Sequence, residues 1–228
     1  MVVELRGVSK VYVRRGGGRV QALRGASLHV GAGELVVLAG PSGAGKSTLL
    51  RLLTGEERPT EGRVRMDGED IGTLRRGRLA RLRRQMGVVP QEPRLVADRS
   101  ALGNVTLVLR ALGMAAAEAR ARSLEALRDA GLAACATAFP GELAAGERRR
   151  LVLARAVAPA PRLLLADEPT AMLDEVATRE VAELLRAVQA GGTTVVVATR
   201  DPALAAALKA RVLSVEGGRV SEGPHGAA

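Results

Sequence analysis

The chain has 228 residues, 47% hydrophobic and 25% charged, a globular composition sized for one domain or a core with an insertion. Tyr12 and Phe139 are its only aromatic rings, so the base-stacking rings of many single-strand binders are nearly absent and the core must come from Leu, Val and Ala. A net charge of +10, mostly arginine, fits either an anionic partner or a biased background composition, and the lone Cys135 excludes an internal disulfide.

The start, Met1 to Arg6, lacks a charged-then-apolar secretory pattern, and no apolar run reaches the ~20 residues that span a bilayer. A cytoplasmic protein is expected, with any pore supplied by another chain. Residues 1–38 alternate branched apolar and polar positions around Gly16-Gly17-Gly18, which predicts short antiparallel strands. Leu35 to Ala39 is a continuous apolar run that stops at Gly40, as a buried strand does, and Lys46 to Thr54 reads as a helix. Strand-like pieces follow around Arg63 to Met66 and Gly87 to Val89. Between them, the basic segment Leu74 to Arg84 fits a partner-facing helix or a solvated face.

Residues from about 100 to 158 read as mainly helical, broken at Pro140-Gly141 and closed by Pro159 and Pro161. Leu163 to Ala166 predicts a second buried strand, followed by a helix with Ala177, Val181, Leu184, Leu185 and Val188 on one face. A third apolar strand, Thr194 to Ala198, precedes a last helix, and Val212 to Val220 predicts a hairpin at Gly217-Gly218. Strands alternating with helices imply an α/β fold around a mostly parallel sheet, split by a helical insertion.

The strongest local signal is Gly40-Pro41-Ser42-Gly43-Ala44-Gly45-Lys46-Ser47-Thr48, a G-x-x-x-x-G-K-[ST] match between an apolar strand and a helix. Glycines let the backbone curl so that its N–H groups converge on phosphate oxygens, and the helix adds its positive end. Lys46 is expected to neutralise β- and γ-phosphate charge, and Ser47 to ligate Mg²⁺. Kinases, GTPases and motor ATPases share such a loop, so it names no enzyme alone. Leu163 to Ala166 ends in Asp167-Glu168, delivering two carboxylates to the edge of the sheet where a ligand sits. Asp167 is expected to hold Mg²⁺ through water, and Glu168 to accept a proton from the attacking water.

Together these residues resemble the ABC ATPase family over nearly the whole chain. The resemblance implies a P-loop NTPase with a RecA-like parallel-sheet core, an N-terminal antiparallel β subdomain and an inserted helical subdomain at about residues 92–158 of a single 1–228 domain. Tyr12 lies where the family stacks an aromatic ring on adenine. Gln91, in Val89-Pro90-Gln91-Glu92, matches the Q-loop glutamine, which contacts Mg²⁺ and the attacking water and faces the membrane partner. Leu143-Ala144-Ala145-Gly146-Glu147-Arg148-Arg149-Arg150 stands where the family has Leu-Ser-Gly-Gly-Glu-Gln-x-Arg, and Leu173-Asp174 matches the D-loop.

Leu95 to Ser100, then Asn104-Val105, is similar to the FtsE cell-division subfamily, whose Asp-Arg-Thr follows the Q-loop at a similar distance. Leu164 to Thr170 is similar to FtsE and also to lipoprotein-release and macrolide-export ATPases. The resemblance implies ATP and Mg²⁺ as ligands and a homodimer formed on ATP binding. It also implies an FtsX-like or other ABC permease partner, and a peripheral position on the cytoplasmic face of the inner membrane. No nucleic acid is expected as a partner.

The chain departs from the family pattern at the chemistry itself. Ala144 and Ala145 replace the signature Ser and Gly that cap the γ-phosphate held by the opposite subunit, leaving Gly146 and the helix near Glu147 to face it. Arg200, in Ala198-Thr199-Arg200-Asp201, replaces the His that bridges γ-phosphate, water and the catalytic Glu. Its guanidinium would either donate to the γ-phosphate in cis or pair with Glu168 and restrain it. His29 and His225 lie near no motif. Tight Mg-ATP binding with slow hydrolysis is expected, either driving a membrane complex or serving an interaction module without meaningful turnover.

Overall fold

The computed structural model describes residues 1–14 and 16–223. It opens with a long hairpin, β1 (Val3–Val13) and β2 (Arg19–Val30), in which Val3, Leu5 and Val8 turn inward. Then come β3 (Leu35–Ala39), α1 (Lys46–Leu53), β4 (Glu61–Met66), β5 (Glu69–Asp70), α2 (Arg76–Arg83) and β6 (Met86–Val89). The helices α3 (Ala101–Ala111), α4 (Ala116–Asp129) and α5 (Ala145–Val157) follow, with a 3-10 turn at Ala133–Cys135. The chain returns through β7 (Leu163–Asp167), α6 (Glu175–Ala190), β8 (Thr194–Thr199), α7 (Pro202–Leu208), β9 (Arg211–Glu216) and β10 (Arg219–Glu222).

Two sheets result, one antiparallel in the order β2-β1-β4-β5, the other in the order β10-β9-β3-β8-β7-β6. In the second, only the edge strand β10 runs antiparallel to its neighbour. The interior strands β3, β7 and β8 are continuous aliphatic runs because helices or the other sheet cover both of their faces. Leu49, Leu52 and Leu53 of α1 pack with the antiparallel sheet on one face, and α5, α6 and α7 cover the other. Helices α3, α4 and α5 close a third cluster of their own around Val105, Leu109, Leu127 and Leu151.

The parallel register puts Ala39 beside Thr199, Ala198 beside Asp167 and Ala166 beside Val89. The carboxyl ends of β3, β8, β7 and β6 therefore meet at one edge, where ligands of such sheets collect. On α6 the fully buried stripe is Thr178, Val181, Ala182 and Leu185, rotated from the expected face, while Ala177, Leu184 and Val188 are half-buried. Leu184 borders both the sheet core and the α3–α5 cluster, so α6 faces two neighbours rather than one. No residue of α2 is buried; its arginines form a solvated face, with Arg78 paired to Glu69. His29 lies in β2, and His225 falls outside the described residues.

Candidate active site

The loop between β3 and α1 is shaped by backbone that only glycine fits. A Cβ on Gly40 would collide with the Val215 carbonyl oxygen, and one on Gly45, at φ +111°, would lie 2.6 Å from the Ala22 oxygen. Gly45 caps α1 without a side chain, and no acidic residue occupies the first turn, so the positive helix end faces the loop uncompensated. Lys46 is only 6% exposed, yet its ammonium is satisfied: Nζ donates to Gly40 O at 2.6 Å and Pro41 O at 3.0 Å.

Directly opposite, β7 ends in the acidic pair. Glu168 adopts φ +46°, a left-handed backbone that folds the chain back toward β8, and its N–H donates to Ala198 O at 2.8 Å. Its carboxylate lies 3.8 Å from Lys46 Nζ through Oε1, while Oε2 accepts from Thr199 Oγ1 at 3.1 Å and from the Arg200 N–H at 3.2 Å. Burial pushes the Asp167 carboxyl above its ordinary value, outweighing a hydrogen bond with Ser47 and the charges of Lys46 and Arg51; Glu168 beside it adds to the rise. Asp167 Oδ1 is buried with no hydrogen-bond partner.

That unpartnered oxygen, with the Ser47 hydroxyl on the same carboxyl, fits a hard divalent cation such as Mg²⁺. Among the described residues no group of three or more His, Cys, Asp or Glu gathers as a metal cage. Mg²⁺ is commonly held by one or two carboxylates plus substrate phosphates, so one orphaned carboxylate is enough.

Gln91 leaves the end of β6 next to β7, exposed. Its carbonyl is gripped by Arg149, a buried α5 residue that also reaches Pro90 O. Burial lowers the Arg149 guanidinium, and the Glu168 charge opposes that shift. Sequence reasoning missed this link, because an arginine inside a run of three gives no sign of which one turns inward. Ala144 is the N-cap of α5 and offers no oxygen to the first turn. Glu147 supplies half of a capping box by accepting from the Ala144 N–H at 2.7 Å, and its other oxygen takes the Cys135 thiol at 3.4 Å. These two hydrogen bonds, the backbone one first, hold the Glu147 carboxyl below its usual range, and the same Glu147 contact, with burial, pushes the thiol up.

Arg200 spans the site from β8 to the loop, its Nη1 lying 3.3 Å from Ser42 Oγ. The guanidinium therefore reaches the phosphate loop, while only the Arg200 backbone holds Glu168. Tyr12 sits opposite Val20 across the hairpin, with Lys10 Nζ 5.0 Å from its ring centroid and its buried hydroxyl without a partner. Asp174 caps α6 by accepting from the Ala177 N–H at 2.8 Å. Asn104, fully buried, accepts from the Val96 N–H and donates to the Val96, Arg99 and Ser100 carbonyls, which shapes the Leu95–Ser100 loop.

A family model described as ABC transporter matches residues 23–171. The chain belongs to the ABC transporter family. It is 39% identical to the cell division ATP-binding protein FtsE of Escherichia coli (strain K12), over 97% of this chain and 98% of that protein. It is 38% identical to the methionine import ATP-binding protein MetN of Cereibacter sphaeroides, over 94% of this chain, and spans 61% of that relative's length. An ATP-binding cassette solved as a dimer in a post-hydrolysis state, bound to ADP and Pi, matches with a TM-score of 0.90 at 34% identity, covering 99% of both chains.

In this ABC ATPase the fold brings the loop after β3 and the acidic pair at the end of β7 face to face. Arg148, next to Glu147 on α5, turns back to donate to the Leu143 carbonyl. Among the described residues no helix is long and apolar enough to cross a membrane.

Proposed function

We propose that this chain is the ATP-binding subunit of an FtsE-like membrane complex, binding Mg-ATP tightly and hydrolysing it slowly. The observation that carries the reading is the cluster at the mouth of the phosphate loop. Lys46 and Glu168 face each other there at 3.8 Å while Asp167 presents an unpartnered buried oxygen. ATP phosphates would draw Lys46 from the loop carbonyls and meet the open end of α1. Ser47, Asp167 and Gln91 would hold Mg²⁺, which when bound neutralises charge on the phosphate oxygens. Glu168 would take the proton of the attacking water, with its reach set by Thr199 and the Arg200 N–H.

Slow turnover follows from the two altered γ-phosphate contacts. Ala144 forgoes a hydroxyl-to-phosphate hydrogen bond worth about 1.5–3 kcal/mol. Arg200 brings a permanent charge on a long fork in place of a compact imidazole, and its position beside Ser42 favours contact with the γ-phosphate over pairing with Glu168. Tyr12 would stack on adenine, sharing its ring with Lys10.

The resemblance of Leu95–Ser100 and Asn104-Val105 to FtsE supports an FtsX-like partner in cell division, with the ATP-bound subunit dimerising at the cytoplasmic face of the membrane. Identity to MetN is close to that with FtsE, so co-purification with an FtsX-like protein is the partner test. Lipoprotein-release or macrolide-export ATPases are the other transporter readings. The same altered contacts favour a second class, an ATP-dependent interaction module without meaningful turnover.

Calorimetry is expected to detect Mg-ATP binding that disappears in Lys46→Ala. Single-turnover phosphate release is expected to be slow in the wild type and faster in Arg200→His. Fast wild-type release, unchanged in Arg200→His, would overturn the slow-hydrolysis reading, and no binding in the wild type would overturn the whole.

A further inference from the structure

Two threonines outside the phosphate loop face each other across the ends of β7 and β8, and both are buried: Thr199 is 1% exposed and Thr170 is 4%. Each gives its hydroxyl to a carboxylate of the opposite segment. Thr199 Oγ1 lies 3.1 Å from Glu168 Oε2, and Thr170 Oγ1 lies 3.3 Å from Asp201 Oδ2. The two bonds run in opposite directions over the same gap, so they act as a reciprocal clip.

The clip has a defined proton direction. The Asp201 N–H donates to Thr199 Oγ1 at 3.0 Å, which occupies the oxygen as an acceptor and leaves its single proton for Glu168. Asp201 is fixed in turn, since its Oδ1 caps α7 by accepting from the Ala203 N–H at 2.9 Å. Glu168 stands at φ +46°, a backbone state that an ordinary residue keeps only when its surroundings over-determine it. Its N–H, both carboxylate oxygens and the neighbouring Thr170 are all tied to β8, Lys46 or the turn after β8.

We propose that Thr199 is a positioning residue for the Glu168 carboxylate, with Thr170 and Asp201 as the opposing half of the clip. This rests on the reading of Glu168 as the base. A carboxylate left to rotate at the end of β7 samples orientations that do not meet the attacking water. The hydroxyl, sharing Oε2 with the Arg200 N–H, narrows that freedom further. The backbone of Thr199 is already held by the parallel pairing with Ala39, so loss of the hydroxyl alone leaves the strand in place.

The test compares Thr199→Val, which keeps the shape without the hydroxyl, with Thr199→Ser, which keeps the hydroxyl. Single-turnover hydrolysis and ATP affinity are measured on each, with Glu168→Gln alongside. Misplacing a reacting group by about 1 Å costs up to ~100-fold, so Thr199→Val is expected to hydrolyse at least ~10-fold more slowly. Its ATP affinity and melting temperature should stay close to wild type, and Thr199→Ser should recover most of the rate. Thr170→Val is expected to slow hydrolysis in the same sense, and it carries the comparison if Thr199→Val does not fold.

Wild-type rates in Thr199→Val or in Thr170→Val would overturn the proposal. So would equal losses in Val and Ser at position 199, or an ATP affinity that falls in step with the rate. If Glu168→Gln hydrolyses like the wild type, the base reading itself fails. If Glu168→Gln is inactive while Thr199→Val is fully active, only the positioning role fails.

Discussion

Taking a carboxylate out of water at the end of β7 costs free energy that counter-charges and hydrogen bonds return; Asp167 Oδ1 has no hydrogen-bond partner, and Ser47, Lys46 and Arg51 do not outweigh the burial. Burial raises its folded-state pKa above the ordinary 3.8. A raised value means that the folded chain holds this proton more tightly than the unfolded chain does. The group's favourable contribution is fully present below 3.8 and is lost as pH rises through the folded value. Ionised Asp167 therefore destabilises the nucleotide-free protein relative to its protonated form. Asp167→Asn is expected to melt higher than wild type at pH 7 without nucleotide, with the gap closing as pH falls towards 3.8. With Mg-ATP the order should reverse, because the wild type gains a cation contact that the amide forgoes. Thermal scans over a pH series, with and without Mg-ATP, check both halves. A nucleotide-free Asp167→Asn that melts lower at pH 7 would contradict the first.

At the scale of elements, β6 and α5 touch so closely that there is room for no side chain between them. A Cβ on Gly87 would strike the Ala156 carbonyl oxygen and come within 3.0 Å of Leu164 Cδ1. A helix carbonyl cannot swing away as a side chain can, so Gly87→Ala should cost about 1–3 kcal/mol by overpacking. The same helix carries Arg149 to the Gln91 carbonyl, so pushing α5 outward also loosens the Q-loop. The expected result is a lower denaturant midpoint together with hydrolysis that falls further than ATP affinity. Equal stability in the variant would show that α5 shifts freely.

The elements themselves were largely legible. The runs at β3, β7 and β8 are contiguous and aliphatic, and the phosphate loop and Asp167-Glu168 are local in sequence. The two-residue β5, Glu69-Asp70, was not, since two polar residues carry no period. Nor were the Arg149–Gln91 and Cys135–Glu147 contacts, which join residues whose neighbours in sequence give no hint of facing one another.

For the whole molecule, strand order was the illegible part, because β3, β7 and β8 are interchangeable aliphatic runs and nothing in them selects β8 as the neighbour of both others. Resemblance to a family implied a parallel-sheet core without that order, which the structure supplies, and it also implies that the site is completed by a second copy. Ala144 bears on both levels at once. It is the exposed N-cap of α5 and leaves the first turn without a side-chain acceptor. Ala144→Ser should stabilise the nucleotide-free monomer by about 0.5–2 kcal/mol through the cap alone. If the signature of one copy also caps the ATP of the other, the new hydroxyl adds a charged hydrogen bond that exists only in the ATP-bound dimer. The two effects separate cleanly. Melting without nucleotide reads the cap, and sedimentation with Mg-ATP in a Glu168→Gln background, where slow turnover preserves the dimer, reads the contact between copies. A tighter dimer with ATP, beyond any change seen with ADP, is the expected outcome. A cap gain with no ATP-dependent tightening would place the signature loop away from the second copy's nucleotide.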